Sequence, residues 1–395
     1  MEFAAFTGHP HFAAPQRVGA PMVEKETEQR FHALSGDILA LHSLTGNGPL
    51  VSRLEEEIAV RHGVAHAIAV ANATLAQMLL LKAMGLESGE ILVSANAAVA
   101  VPHACTWQGL KPVFCDIDPL TLNMAPDEVE RKLTGDTVAV IPTHAFGVLA
   151  DMPAFGQLCR KLGLLLFADA SQAFDCDAGG IPPGGHGVPE FVSLHAAEYF
   201  SAVEGGVILT DDAALARELR HLRNLGLDGS GQPCRPGLNA VMSEMHAAFG
   251  LASLPALDRR RQSLRAVRAV YRDGLSDLPG VAIHPVDAAG RNNYRYFVLR
   301  FDDAFGVPRD AVAEILRREN ILAQAYFSPG CHHALPYREF GEDVLPRVEG
   351  ELPRLLCLPT SFIGLDPLEA ARDIVAILRG VREHSAELLA WWRGD

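Results

Sequence analysis

From about Thr45 the chain alternates helix-period apolar patterns with short apolar runs closed by Gly, Pro, Asp or Asn, and this alternation constrains its fold more than any other feature. Leu50 to His62 places Val51, Leu54, Ile58 and Val60 near helical spacing. AHAIAVA at 65–71 then reads as a buried strand, running into Asn72-Ala73-Thr74 and a further helix to Met84. The same reading predicts strands at Ile91–Ser94, Pro112–Asp116, Val138–Pro142, Leu164–Asp169, Phe191–Leu194 and Val207–Thr210. The expectation is an α/β fold: a large domain with a mostly parallel, seven-stranded sheet between helices. After Asn239 the texture changes. Ser243–Leu264 reads as a long helical stretch, Tyr294–Phe301 and Ala323–Phe327 as strands, and Arg309–Glu319 and Pro367–Trp391 as helices, which together make a smaller C-terminal α+β domain. The expected organisation is an N-terminal segment, 1–44, packing on the body with a helix at Glu24–Leu41, a large domain, 45–255, and a small domain, 256–395.

Charge and cysteine usage narrow the function classes. The formal net charge of −14 repels polyanions, so nucleic acid is excluded as an expected partner. Seven cysteines without a C-x-x-C pair leave no full disulfide framework and fit a reducing cytoplasm. Neither a signal peptide nor an apolar run of ~18 residues is present, so no membrane partner is expected. Arg259-Arg260-Arg261 reads as a solvated helix face. The five lysines are Lys25, Lys82, Lys111, Lys132 and Lys161, so nothing later in the chain offers a primary side-chain amine.

In parallel α/β sheets ligands sit at the carboxyl ends of the strands, and the polar residues closing each strand are therefore the candidates. Asn72-Ala73-Thr74 would aim backbone N–H groups and a hydroxyl at an anion, although Asn and Thr are also ordinary helix caps. Asp169 closes LLLFAD, where a buried carboxylate needs a cationic partner such as a protonated pyridine nitrogen. His144, ahead of Ala145-Phe146-Gly147, closes another strand within reach of a substrate. Ser193-Leu194-His195 closes a third, and Glu204-Gly205-Gly206 opens the next.

Together with VANATLAQ, CDIDPLTLNMAPDEVE, IPTHAFGVLADMPAF, FADASQAF, SLHAAEYFSAVEGGVILTDD, GLNAVMSEMHAAFGL, YFSPGCHHALPY and LCLPTSF, in that order, these residues make the chain resemble the DegT/StrS family of sugar aminotransferases from about Gly46 to Leu378. The resemblance implies a fold-type-I architecture of the kind used by pyridoxal 5'-phosphate (PLP) transferases, and a homodimer with sites at the subunit interface. It also implies that Asp169 pairs with the cofactor's pyridine nitrogen and Gln172 lies beside its ring hydroxyl. Ala73, Thr74 and Ser193 would surround the phosphate, and Asn239 would reach it from the neighbouring subunit. Phe146 and His144 would contact substrate, as would Tyr326 and His332 of the YFSPGCHH segment near its entrance. The implied substrate is a nucleotide sugar or a specialised-metabolite intermediate.

The departures carry more information. Where the family has the Schiff-base lysine, in a motif like S-x-H-x-T-K, this chain reads Ser193-Leu194-His195-Ala196-Ala197-Glu198. A carboxylate cannot condense with an aldehyde, so a conventional aminotransferase cycle is not expected. Ala98 stands where an aromatic usually covers the cofactor, and Ala73 and Val241 replace a glycine and a basic residue near the phosphate. Three readings follow. PMP (the amino form of the cofactor) or PLP binds non-covalently, with Glu198 and His195 as the catalytic acid–base groups. Alternatively the pocket works without cofactor, or the chain is an inactive aminotransferase-like protein that partners or regulates an active enzyme. No metal site is expected, because adjacent His332 and His333 should diverge. Serine-hydrolase and Rossmann motifs are lacking.

Overall fold

The apolar alternation builds the sheet that was expected. In the computed structural model, which describes residues 3–42, 44–286, 290–340 and 344–394, seven strands lie side by side. They are β1 (His66–Val70), β2 (Glu90–Ser94), β3 (Lys111–Cys115), β4 (Thr137–Ile141), β5 (165–169, interrupted at Phe167), β6 (Glu190–Ser193) and β7 (Gly206–Thr210). Their spatial order is β3-β2-β4-β5-β6-β7-β1, and only β7 runs antiparallel to its neighbours. β5 joins the two halves: its first residues pair with β4, its last with β6, and Asp169 N–H donates to Pro142 O at 2.9 Å.

Both faces are covered. In β1, Ile68 and Val70 enter the core beneath helices Ala73–Ala83 and Ala213–Leu222, whereas Ala67 and Ala69 face the core formed with helices Pro49–His62 and Glu244–Ser253. The helix periods match these contacts: Val51, Leu54 and Ile58 on one side and Ala76, Leu79 and Leu80 on the other are fully buried or nearly so. Asn72 starts its helix by accepting from Leu75 N–H at 2.9 Å. Gly206 in β7 passes so close to this turn that a Cβ would lie 2.5 Å from the Asn72 carbonyl carbon.

The C-terminal unit is a three-stranded antiparallel sheet, β8 (Val281–Ile283), β9 (Phe297–Phe301) and β10 (Leu355–Leu358), packed on helices 257–275, 309–318 and 367–383. Four details differ from the sequence reading: the expected helix Pro367–Trp391 is two, Pro367–Glu383 and Ser385–Arg393, and three further differences bear on how the units pack. The expected helical stretch Ser243–Leu264 is two helices with a short 3-10 link, Leu254–Ala256, because Pro255 cannot donate to a continuous ladder. The second of them spans both cores: Leu257 and Leu264 pack in the large unit, and Val267, Tyr271 and Leu275 in the small one. Segment 323–327 is largely turn: only Gln324 pairs, with Cys357, before the chain bends through Ser328 N–H to Ala325 O and Pro329, which has no N–H to offer a ladder. Arg260 is not solvated but buried, bonded to Glu24, Tyr199 O and Met22 O, so it fastens the N-terminal helix Lys25–Leu41 to the body.

The N-terminal segment divides its contacts. Phe3 and Phe12 enter the small unit's core and Gln16–Arg17 pairs with Ile321–Leu322, while the helix Lys25–Leu41 lies on Glu244–Ser253. Among the described residues no helix is long and apolar enough to cross a membrane. Gly206→Ala is expected to cost about 1–3 kcal/mol of stability, as overpacking does, measured by urea unfolding; an unchanged midpoint would show that the turn at Asn72 yields freely.

Candidate active site

The carboxyl ends of the strands open into a cleft of about 250 Å³. Asn72, Ala73 and Thr74 line it from the first turn of the helix Ala73–Ala83, Ala98 from the loop after β2, Asp169 from the end of β5, Ser193 from the end of β6, His195 and Glu198 from the segment after it, and Glu204 and Gly205 from the approach to β7. Of the residues expected around a phosphate-bearing ring, Ala73, Thr74, Ala98, Asp169 and Ser193 are thus brought together.

Asp169 is the most constrained of them. It is 3% exposed, accepts from Ser171 N–H at 2.9 Å, and forms no ion pair among the described residues. Burial pushes its carboxyl upward, against the Ser171 hydrogen bonds and the nearby His144. A buried acid aimed at a cleft without a cation fits a ligand that brings a protonated ring nitrogen. The helix N-terminus at Ala73 and the hydroxyls of Thr74 and Ser193 fit that ligand's phosphate.

Glu198 sits in a tightly held turn. Its N–H donates to His195 O at 3.0 Å, Tyr199 Oη donates to Leu257 O at 2.6 Å, and Phe200 packs on Phe174. Arg295, 1% exposed, clamps the turn from beneath, donating through Nε and Nη2 to Ala197 O at 2.9 and 2.7 Å. Half-buried Glu198 accepts from Tyr296 Oη at Oε2, 3.0 Å away, while Oε1 makes no hydrogen bond among the described residues. Burial raises its carboxyl from 4.5 to about 7; Tyr296 and Arg295 oppose the rise and the Asp169 charge adds to it. A carboxyl in this range can both give and take a proton near neutrality. His195 is more open, with Nδ1 accepting from Ala197 N–H at 3.1 Å and Nε2 3.7 Å from Glu204.

Other expected site residues lie elsewhere. His144 is fully buried: Nδ1 accepts from Ala150 N–H at 3.0 Å and Nε2 lies 3.0 Å from Glu190 Oε2, so it braces the strand ends and touches no open space. Phe146 is likewise sealed, its ring against Tyr296 and His284, which corrects the expectation of substrate contact for both. Gln172 is buried and accepts from Phe146 N–H at 2.7 Å; it does not line the cleft. Asn239 is exposed and lies outside the cleft of its own chain.

Tyr326 lines a second recess of about 680 Å³, which shares Ala98 with the cleft. His332 lines neither; His333 does. The two histidines converge where divergence was expected, with Nε2 atoms 3.0 and 2.7 Å from Glu349 Oε1, because the Cys331–His333 3-10 turn points both rings at the helix Pro346–Glu351. Their donor atoms and that of Glu349 all lie within 4.8 Å of one another.

Tyr296 and Arg295 were not singled out by the sequence. They come from a segment 98 residues beyond Glu198 whose apolar run signals only a strand.

A family model described as the DegT/DnrJ/EryC1/StrS aminotransferase family matches residues 25–378. The chain belongs to this family. It is 32% identical over 320 residues to the dTDP-4-amino-4,6-dideoxy-D-glucose transaminase of Escherichia coli, covering 80% of this chain and 86% of the relative. It is 31% identical over 334 residues to the GDP-perosamine synthase of Caulobacter vibrioides, covering 84% and 90%. The solved structure of DesI in the presence of its TDP-sugar product superposes with a TM-score of 0.93 at 38% identity, covering 99% of each chain. The fold is therefore the fold-type-I PLP aminotransferase fold.

The raised carboxyl has a stability consequence. The folded chain keeps the Glu198 proton up to about 7, whereas the unfolded chain releases it near 4.5, so this group's contribution is full below 4.5 and is lost as pH rises through 7. Glu198→Gln, which keeps the shape of the neutral acid, should leave Tm close to wild type at acidic pH and raise it by a few degrees at mildly alkaline pH. Thermal unfolding at both conditions tests this, and equal shifts at the two would contradict it.

Proposed function

We propose that the chain is an enzyme of nucleotide-activated sugar or specialised-metabolite biosynthesis that does not run a conventional aminotransferase cycle. In this reading Glu198 and His195 move protons in a cleft that holds PMP or PLP without a covalent bond. The observation that carries the reading is Glu198 itself: a carboxyl, opening on the cleft and hydrogen-bonded to Tyr296, occupies the motif position of the Schiff-base lysine. No lysine substitutes for it. Lys25, Lys82, Lys111 and Lys161 are exposed, Lys132 is half-buried, and none lines the cleft.

When bound, the cofactor supplies an electron-withdrawing pyridinium ring. Asp169 would hold its ring nitrogen protonated, and the Ala73–Thr74 helix terminus with Ser193 would hold its phosphate. Asn239, exposed on the surface, would complete the phosphate contacts of a second chain's cleft in a homodimer. The nucleotide sugar would lie in the adjoining recess, whose lining includes Tyr326, Phe327, His333 and Arg338. The relatives named for dTDP- and GDP-linked sugars support that substrate class. Glu198, held by Tyr296 and backed by the Arg295 charge, would exchange a proton with the substrate carbon or its leaving oxygen, a lyase-type role in place of amine exchange.

Two measurements test the reading. Borohydride treatment of PLP-loaded chain should leave no cofactor on the 193–206 peptide, while Glu198→Lys should acquire one there; glutamate-driven amino transfer to a dTDP-linked keto sugar by the wild-type chain would overturn the proposal. With a sugar the chain turns over and cofactor at saturation, Glu198→Gln should lower turnover by ~10²–10⁴-fold and leave sugar binding nearly intact, and an unchanged rate would remove Glu198 from the mechanism.

A further inference from the structure

Resting on the reading that the cleft takes a vitamin B6 phosphate, we propose that Glu198 makes it selective for the amine form, pyridoxamine 5'-phosphate, over forms lacking a cation at that carbon. The argument is one of charge. A lysine ammonium at this motif position is replaced by a carboxylate, which inverts the sign of the group facing the ring substituent.

The remaining lining does nothing to offset the inversion. Among the described residues that line it, Asp169, Glu198 and Glu204 contribute three carboxyl groups, His195 is the only basic side chain, and there is no lysine or arginine. These acids are not equivalent. Glu204 lies beside His195, with Oε1 3.7 Å from Nε2, and both side chains are about half exposed to solvent. Asp169 suits a ring nitrogen, as argued above. Glu198 is left with an uncommitted oxygen: Tyr296 holds Oε2 and nothing among the described residues holds Oε1.

Arg295 does not fill the role of counterion. It is 1% exposed and commits its guanidinium to Ala197 O, Ser361 Oγ and Ala20 O, with no ion pair to Glu198. Burial lifts the Glu198 carboxyl to about 7 although Tyr296 and the Arg295 charge oppose the rise. A ligand that brings an ammonium to Oε1 lets Glu198 ionise with a partner; an aldehyde or a hydroxymethyl group leaves it protonated or uncompensated. The discrimination corresponds to one charge-assisted hydrogen bond.

The test compares ligands that share ring and phosphate. Calorimetric titration of the full chain at neutral pH with pyridoxamine 5'-phosphate and with pyridoxine 5'-phosphate, which carries a hydroxyl in place of the amine, isolates the charge. The amine should bind about 10–100-fold more tightly. Glu198→Gln should reduce the ratio to about unity, Glu198→Asp, which keeps the charge, should retain a preference, and Glu204→Gln should leave it in place. Equal affinities in the wild-type chain, or a preference that survives Glu198→Gln in folded protein, would overturn this inference while leaving the non-covalent-cofactor reading standing. Failure of both ligands to bind would overturn that reading and the selectivity with it.

Discussion

Strand β5 is the constraint on which the rest of the structure depends. Among the described residues it alone links the two halves of the sheet, pairing with β4 through its first residues and with β6 through its last. At its end, Asp169 N–H bonds Pro142 O and Asp169 O accepts from His144 N–H, each at 2.9 Å, so the residue that closes the sheet also carries the buried carboxyl of the cleft. Fold and site are stitched at one position. Around it the fully buried His144–Glu190 pair holds the neighbouring strand ends in register, where an unpaired charge would be costly.

The cleft is unusual in its balance of charge. Within one small volume the chain places Asp169, whose carboxyl burial pushes upward, and Glu198, whose carboxyl is raised to about 7 partly by the Asp169 charge. Two acids that each resist ionisation become tolerable when a ligand contributes positive charge or when they stay protonated. Tyr296 and Arg295 restrain Glu198 without neutralising it: one hydrogen-bonds a single oxygen, the other fixes the backbone of Ala197. The turn therefore presents a carboxyl to the cleft and holds it from behind.

Much of this was legible along the chain. The short apolar runs closed by turn residues located all seven strands within a residue or two, because burial in a sheet covered on both faces is written locally in residue type. Among the cleft's members, Thr74, Asp169 and Ser193 could be named for the same reason, since each closes or follows a readable strand end, whereas Glu198 was singled out by the motif resemblance. What failed was local polarity used as a sign of openness. His144, Phe146 and Gln172 carry suitable chemistry, but neighbouring strands and the β9 segment seal them. His332 and His333 were expected to diverge, and a 3-10 turn turns both toward Glu349.

By itself the sequence determined the layered α/β architecture, family membership, the position of Asp169 at a strand end, and the absence of any lysine beyond Lys161. Those are properties of residue type and spacing. The tertiary structure alone decided that Glu198 opens on the cleft, that Tyr296 and Arg295 from the small unit hold it there, and that burial pushes its carboxyl up to about 7. The reason is that burial and charge neighbourhood are set by segments far apart in the chain, and no local pattern encodes what will be packed against a side chain once the two units close on each other.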